Sequence, residues 1–283
     1  MSSILKLIRP SHWLKNILVL IPLVFSGRLF DVSSLSTGLF AMLAFCLVAS
    51  LVYVVNDLMD AEADRAHPTK RERPIASGAV SPQMAVTIAL CLASLAVAVD
   101  LLSGAGAVGL ALLGVYAAMN LAYSAGLKRL PVVDVTVLAL GFLLRVVYGA
   151  IACGVEVSGW LYLTVLAGSF YLGLGKRRGE MDAVGDGSRA VLRGYTRAFL
   201  DKNMYVFLGL AIAFYALWAR ESGARLWTVP LVMVIFMRYS LNVESGGDGD
   251  PMGVVLRDRV LVALVCLYIL SVLAIIYLLG VVR

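Results

Sequence analysis

The strongest constraint on this chain is a succession of nine long apolar runs separated by short polar stretches. They fall near residues 14–30, 36–56, 83–102, 106–123, 132–152, 160–175, 203–220, 226–243 and 260–281. A helix crosses membrane hydrocarbon with about 20 apolar residues. Hydrocarbon offers an irregular backbone no water, so each run is expected to be a continuous helix. Hydrophobic residues make up 61% of the 283 and charged residues only 15%, against about 25% charged in a soluble domain. A water-soluble enzyme, a secreted disulfide scaffold and a disordered chain are excluded. The expected fold is an all-α polytopic membrane protein with nine transmembrane helices, one domain over residues 1–283.

The net charge of +6 is unevenly placed. On this topology 18 of the 24 Lys and Arg lie in the N-terminal segment and the even-to-odd loops. The positive-inside bias therefore sets the N-terminus in the cytoplasm and the chain in the inner (cytoplasmic) membrane. Two loops on that side are long, about 57–82 and 176–202, and are expected to cap an active site. Cys46, Cys91, Cys153 and Cys266 are isolated in apolar runs and read as buried small hydrophobes. His12 and His67 are too far apart in sequence to suggest a metal cluster. No cleavable signal peptide is expected, because no small-residue cleavage site follows the first apolar run. The basic residues follow membrane topology and offer no stacking platform, so no nucleic-acid partner is expected.

The stretch from Asn56 to Gly78 reads NDLMDAEADRAHPTKRERPIASG. Asn56, Asp60 and Asp64 recur at i, i+4, i+8, and Asp57 shares a face with Asp60 and Asp64. Oxygen donors at the foot of one helix suit Mg²⁺, which takes a few carboxylates together with substrate phosphates. A solvated acidic helix end is the plainer reading, but ionisable groups at a membrane helix are costly and mark function. Lys70, Arg71 and Arg73 follow, so metal-binding acids and phosphate-binding cations form a candidate magnesium–diphosphate clamp. Arg73 can grip phosphate with its fork and Lys70 as a point charge.

This pattern, with Arg73-Pro74-Ile75 behind the acids, resembles the first signature of the UbiA superfamily of intramembrane prenyltransferases. The resemblance implies a UbiA-like bundle of nine helices with cytoplasmic catalytic loops, a Mg²⁺ cofactor held by Asn56, Asp57, Asp60 and Asp64, and catalytic roles for the three aspartates. A second acidic motif is expected after the sixth helix. The stretch there instead opens with Lys176, Arg177, Arg178 and Glu180, and only Asp182 and Asp186 keep the i, i+4 spacing.

That departure resembles the decaprenyl-phosphate phosphoribosyltransferase branch, as do IRPSHWLKN at 8–16, HPTKRERPIASG at 67–78, LAYSAGLK at 121–128, GKRRGE at 175–180, RYSLNVE at 238–244 and LRDRVL at 256–261. The resemblance implies transfer of 5-phosphoribose from phosphoribosyl diphosphate to a polyprenyl phosphate, for arabinan precursors of the cell envelope. A donor with a 5-phosphate needs a second cationic subsite, for which Lys176 and Arg177 are candidates, with Glu180 on the ribose or the metal. For Lys176, Arg177 and Arg178 the alternative is a positive-inside stop sequence.

Other candidates are open between substrate contact and structure. Arg9 and Lys15 flank Trp13 and either anchor the interface or receive lipid phosphate. Arg145 and Arg238 lie inside spans and need partners. Asp134 and Glu244 are the expected structural ones, and a phosphate is the alternative for Arg145. Tyr116, Asn120 and Tyr123 form a polar stripe that either packs inside the bundle or orients the ribose. Lys128 is an anchor or a phosphate contact, and Arg257, Asp258 and Arg259 read as a self-neutralising loop cluster. A conventional aromatic prenyltransferase and a transporter or lipid flippase are the competing functions. The chain is compatible with a homo-oligomer.

Overall fold

Polar residues that accept backbone N–H groups start several of the helices. Asp31 accepts from the Ser34 N–H at 2.8 Å, and Ser81, Thr196 and Asp258 do the same further along. The computed structural model describes residues 3–183, 190–245 and 250–280. Among the described residues every regular element is a helix. The longer ones are α1 (Val32–Met59), α2 (Pro82–Leu102), α3 (Gly106–Ala125), α4 (Val133–Ala152), α5 (Gly159–Ala183), α6 (Arg197–Arg220), α7 (Val229–Glu244) and α8 (Arg259–Leu273). Ahead of them, Ser3–Ile8 is a short helix, and Pro10–Leu20 is a 3₁₀ helix that runs on as α-helix over Ile21–Phe25.

Among the described residues seven helices are long and apolar enough to cross a membrane: α1, α2, α3, α4, α6, Ala224–Glu244 and Arg259–Leu278. The other two expected spans are helices that fall short of that standard. Pro10–Phe25 is shorter, and α5 carries Lys176, Arg177 and Arg178 in its last turns. The loop expected at 176–202 accordingly begins later than the sequence suggested, because α5 runs on to Ala183. The loop expected at 57–82 is also partly helical, with Asp57 still on α1 and short helices at Ala61–Arg65 and Lys70–Glu72.

The chain divides into two compact units, and the division falls inside α4. Unit 1 comprises Met1–Val24, Arg28–Ala125 and Leu144–Glu156. Its core gathers Leu7, Val19, Phe45, Val54, Ile75, Tyr116 and Tyr148. Here Gly149 has no room for a side chain: a Cβ would stand 1.8 Å from the Val19 carbonyl oxygen. Unit 2 comprises Phe25–Gly27, Gly126–Leu143 and Val157–Arg283. One of its clusters surrounds Tyr171, Leu200, Tyr239 and Leu261, and another Tyr215 and Trp218. The cysteines are all free thiols. Cys46 is buried as expected, whereas Cys153 is only half-buried and Cys91 and Cys266 are exposed. The expectation of burial fails for these two because an apolar helix face turned to lipid satisfies a small hydrophobe as well as a core does.

Candidate functional site

The acidic run of unit 1 sits where α1 ends. The helix breaks at Asp60, yet the Asp60 N–H still donates to the Asn56 carbonyl at 2.9 Å and the Asp64 N–H to the Asp60 carbonyl at 2.8 Å. Helical spacing of these residues thus survives the break. Asp57 and Asp64 are buried, while Asn56 and Asp60 are half-buried.

Two arginines hold the buried carboxylates. Arg9 Nη2 donates to both oxygens of Asp57, at 2.6 and 2.8 Å. Arg73 Nη1 donates to Asp57 Oδ1 at 3.2 Å and Asp64 Oδ2 at 2.7 Å. A single cationic nitrogen thus lies between the two acids. Arg73 is aimed by the turn that follows it, closed by Ser77 N–H to the Arg73 carbonyl at 2.8 Å and Val80 N–H to the Pro74 carbonyl at 2.9 Å. Ile75 pins that turn into the unit 1 core. Gly78, at φ +79°, supplies the left-handed residue the turn needs.

Arg9 itself has φ +51° and ψ +61°. A non-glycine residue in that region costs about 1–2 kcal/mol, and here it precedes Pro10, which disfavours the right-handed helix. The segment is tied to α1: Trp13 Nε1 donates to Ser50 Oγ at 2.9 Å, and Ser50 donates to the Ile8 carbonyl at 2.8 Å. The Arg9 guanidinium also lies 4.9 Å from the centre of the Tyr53 ring.

Arg145 is buried in the same unit. Its Nε donates to Asn16 Oδ1 at 2.7 Å and its Nη2 to the Tyr116 hydroxyl at 3.0 Å, and Phe45 and Tyr116 offer ring faces. Asp134 is not its partner. The two residues stand eleven positions apart on α4, about 16 Å along the axis, and Asp134 belongs to unit 2. Asn120 turns back to its own helix, donating to the Tyr116 carbonyl at 2.8 Å. Lys15, Tyr123 and Lys128 are half-buried and Lys70 is exposed.

In unit 2 the cations of α5 are engaged. Arg177, fully buried, donates to Asp134 and Glu180, both at 2.6 Å. Tyr195 donates to the other Asp134 oxygen at 2.5 Å and accepts the Val132 N–H at 2.6 Å. Burial, and then this bond to Asp134, push the Tyr195 hydroxyl pKa well above the ordinary tyrosine value. Val132 is held at φ +69°, strained for a β-branched residue. Arg178 bridges Asp182 and Asp201, and Lys176 pairs with Asp250 at 3.0 Å. Asp186 lies outside the described residues. Arg238 pairs with Asp258 at 2.6 Å rather than with Glu244, which accepts from Tyr205. Asp258 is therefore a cap and an ion-pair partner rather than part of a self-contained loop cluster.

Asn56, Asp57, Asp60, Asp64 and Arg73 are thus near one another in unit 1, with Tyr116 and Arg145 in a separate polar cluster of that unit. Lys176, Arg177 and Glu180 share the last turns of α5. Sequence reading did not place Arg9 on Asp57, Asn16 on Arg145, or Tyr195 on Asp134. The Arg-Pro pair and the Asn buried in an apolar run were the signals available for the first two.

Among the described residues no three His, Cys, Asp or Glu side chains stand together as a metal-holding group. The donors at the foot of α1 nevertheless fit Mg²⁺ in kind: they are all oxygens, and two buried carboxylates already converge on one positive atom, Arg73 Nη1.

The profile of the UbiA prenyltransferase family matches residues 19–252. A protein named decaprenyl-phosphate phosphoribosyltransferase from Corynebacterium glutamicum is 34% identical, over 97% of this chain and 87% of its own. Proteins of the same name from Mycolicibacterium smegmatis and Mycobacterium tuberculosis are 35% and 38% identical, over 98% and 96% of this chain and 93% of each relative. Among solved structures, a UbiA homolog from Archaeoglobus fulgidus bound to DMAPP and Mg²⁺ superposes with a TM-score of 0.73 at 18% identity, covering 98% of this chain and 99% of that one. The same homolog bound to GPP and Mg²⁺ gives 0.71 at 19% identity, covering 97% and 99%.

Proposed function

This chain belongs to the UbiA prenyltransferase family, and on that premise we propose that it transfers 5-phosphoribose from phosphoribosyl diphosphate to a polyprenyl phosphate of decaprenyl type. The observation that carries this reading over aromatic prenyl transfer is identity of 34–38% along nearly the whole chain to relatives named for that reaction.

Asp57 and Asp64, with Asp60 and Asn56 on the same helical path, would hold Mg²⁺. When bound, the ion supplies charge withdrawal from the departing diphosphate. Arg73 and exposed Lys70 provide positive charge for phosphate oxygens at the same place. The bond between ribose C1 and the diphosphate oxygen breaks, and one forms between C1 and an oxygen of the lipid phosphate, attacking from the opposite face. The acceptor is already an anion, so the chain needs no strong general base. Its contribution is positioning and stabilisation of the leaving group. Products are polyprenyl-phosphoryl 5-phosphoribose and diphosphate. The diphosphate is assigned to unit 1, whereas Arg177, expected from the sequence at the donor's 5-phosphate, is fully buried and donates to Asp134 and Glu180. We further infer a multi-pass inner-membrane protein in which Pro10–Phe25 and α5 complete nine spans around a single domain, with the acidic run on the cytoplasmic side.

Membranes containing the protein, incubated with radiolabelled phosphoribosyl diphosphate, polyprenyl phosphate and Mg²⁺, should pass label into the lipid phase. Label that stays in water, while a prenyl diphosphate and an aromatic acid are consumed, decides for the conventional prenyltransferase.

A further inference from the structure

We propose that Arg9 is an anion-binding residue of the diphosphate site, parked on Asp57 until a divalent cation takes its place. The inference rests on the reading of the α1 foot as a magnesium–diphosphate site and assigns it a ligand and an order of events. Three observations carry it.

The first is where the positive atoms lie. Arg9 Nη2 is held by both oxygens of Asp57 and Arg73 Nη1 by one oxygen each of Asp57 and Asp64. Two cationic nitrogens thus use the carboxylate oxygens that a metal would need. Two acids and two arginines also balance in charge, so the pair of buried carboxylates is compensated before any ligand arrives.

The second is the difference in access. The Asp57 and Asp64 side chains are 1% and 5% exposed, whereas those of Arg9 and Arg73 are 21% and 25% exposed. The acids are fixed in the protein and the arginines approach them from the wet side, so the arginines are the partners able to leave. The third is the mounting of Arg9. Its backbone is fixed on α1 through Ile8, Ser50 and Trp13, and its guanidinium rests beside the Tyr53 ring. A long side chain on a fixed base can swing without moving the fold.

A dication delivered to Asp57 and Asp64 displaces both guanidiniums from their carboxylates. The diphosphate that accompanies it presents the oxygens that a displaced guanidinium binds best. The exchange leaves each charge with an opposite one: carboxylates on the metal, Arg9 and Arg73 on phosphate. In this scheme Arg9 competes with metal alone and assists metal plus diphosphate.

That opposition of sign is the test. Purified full-length wild type, Arg9→Ala and Arg9→Lys are titrated calorimetrically with Mg²⁺ alone, then with inorganic diphosphate in saturating Mg²⁺. Arg9→Ala should bind Mg²⁺ alone several-fold more tightly and diphosphate about tenfold more weakly, the loss of one charge-assisted contact. Arg9→Lys should fall between, keeping the charge without the fork. If Arg9→Ala is poorly stable without ligand, Mg²⁺ should raise its thermal midpoint more than it raises that of wild type. Affinities that both fall, or that do not move, overturn the role of Arg9. The underlying site is tested separately by Asp57→Asn: if wild type binds no Mg²⁺, or Asp57→Asn binds it as well as wild type does, the magnesium–diphosphate reading falls and the inference with it.

Discussion

Tyr195 serves two masters in unit 2, donating to Asp134 and accepting from the strained Val132. Replacing it with Phe removes a hydrogen bond to a charged group, worth about 1.5–3 kcal/mol, and leaves the Val132 N–H without that acceptor. The thermal midpoint of purified Tyr195→Phe should therefore fall at neutral pH. The raised Tyr195 pKa gives the loss a pH signature. Its contribution is fully present below the unfolded tyrosine value near 10 and disappears as pH rises through the higher folded value. Wild type should thus lose part of its advantage above about pH 10, and the gap between the two midpoints should close there; a gap that stays constant refutes the assignment. Residues of this kind divide sharply in how well the sequence shows them. The spacing of Asn56, Asp60 and Asp64 is local and could be read directly. Arg9 and Asp57 are 48 positions apart, and Asn16 and Arg145 are 129 apart. Pairings at such range are decided by how helices pack, which no short pattern records.

Helices were legible in their approximate place because an apolar run long enough for a bilayer has few other ways to fold, although only seven of the nine expected spans are long and apolar enough to cross among the described residues. Their ends were less so. α5 passes through Lys176, Arg177 and Arg178 without stopping because each of these cations finds a carboxylate within unit 2. Charge density alone suggested a loop there. Close approaches between elements were invisible in sequence, since any of the 26 glycines could have marked one. Gly149 does. Gly149→Ala must push Val19 and its backbone aside, an overpacking cost of about 1–3 kcal/mol or more. Its thermal midpoint in detergent should fall well below that of Gly168→Ala, where an added Cβ meets no atom within 4 Å. Equal midpoints would show that the 3₁₀ segment carrying Val19 yields freely.

For the whole chain, the distribution of cations makes a prediction independent of catalysis. With the acidic run on the cytoplasmic side, the turn between α2 and α3 faces outward and the one between α3 and α4 inward. Alkaline phosphatase inserted after Gly104 should be active, and inserted after Gly126 it should be silent; the reverse pattern would invert the molecule. The two segments that miss the ordinary standard for a span, Pro10–Phe25 and α5, miss it differently. α5 has the length and lacks the apolarity, whereas the first has the apolarity and lacks the residues. If Pro10–Phe25 crosses as proposed above, winding makes up the second shortage. A 3₁₀ helix advances about 2.0 Å per residue, so the 11 residues of Pro10–Leu20 cover about 22 Å. The five α-helical residues of Ile21–Phe25 add about 7.5 Å at 1.5 Å each. Together they reach roughly 30 Å, the thickness of bilayer hydrocarbon, where the same 16 residues as ordinary α-helix would stop about 6 Å short. By drawing its coil thinner, the leading segment gains in reach what it lacks in residues.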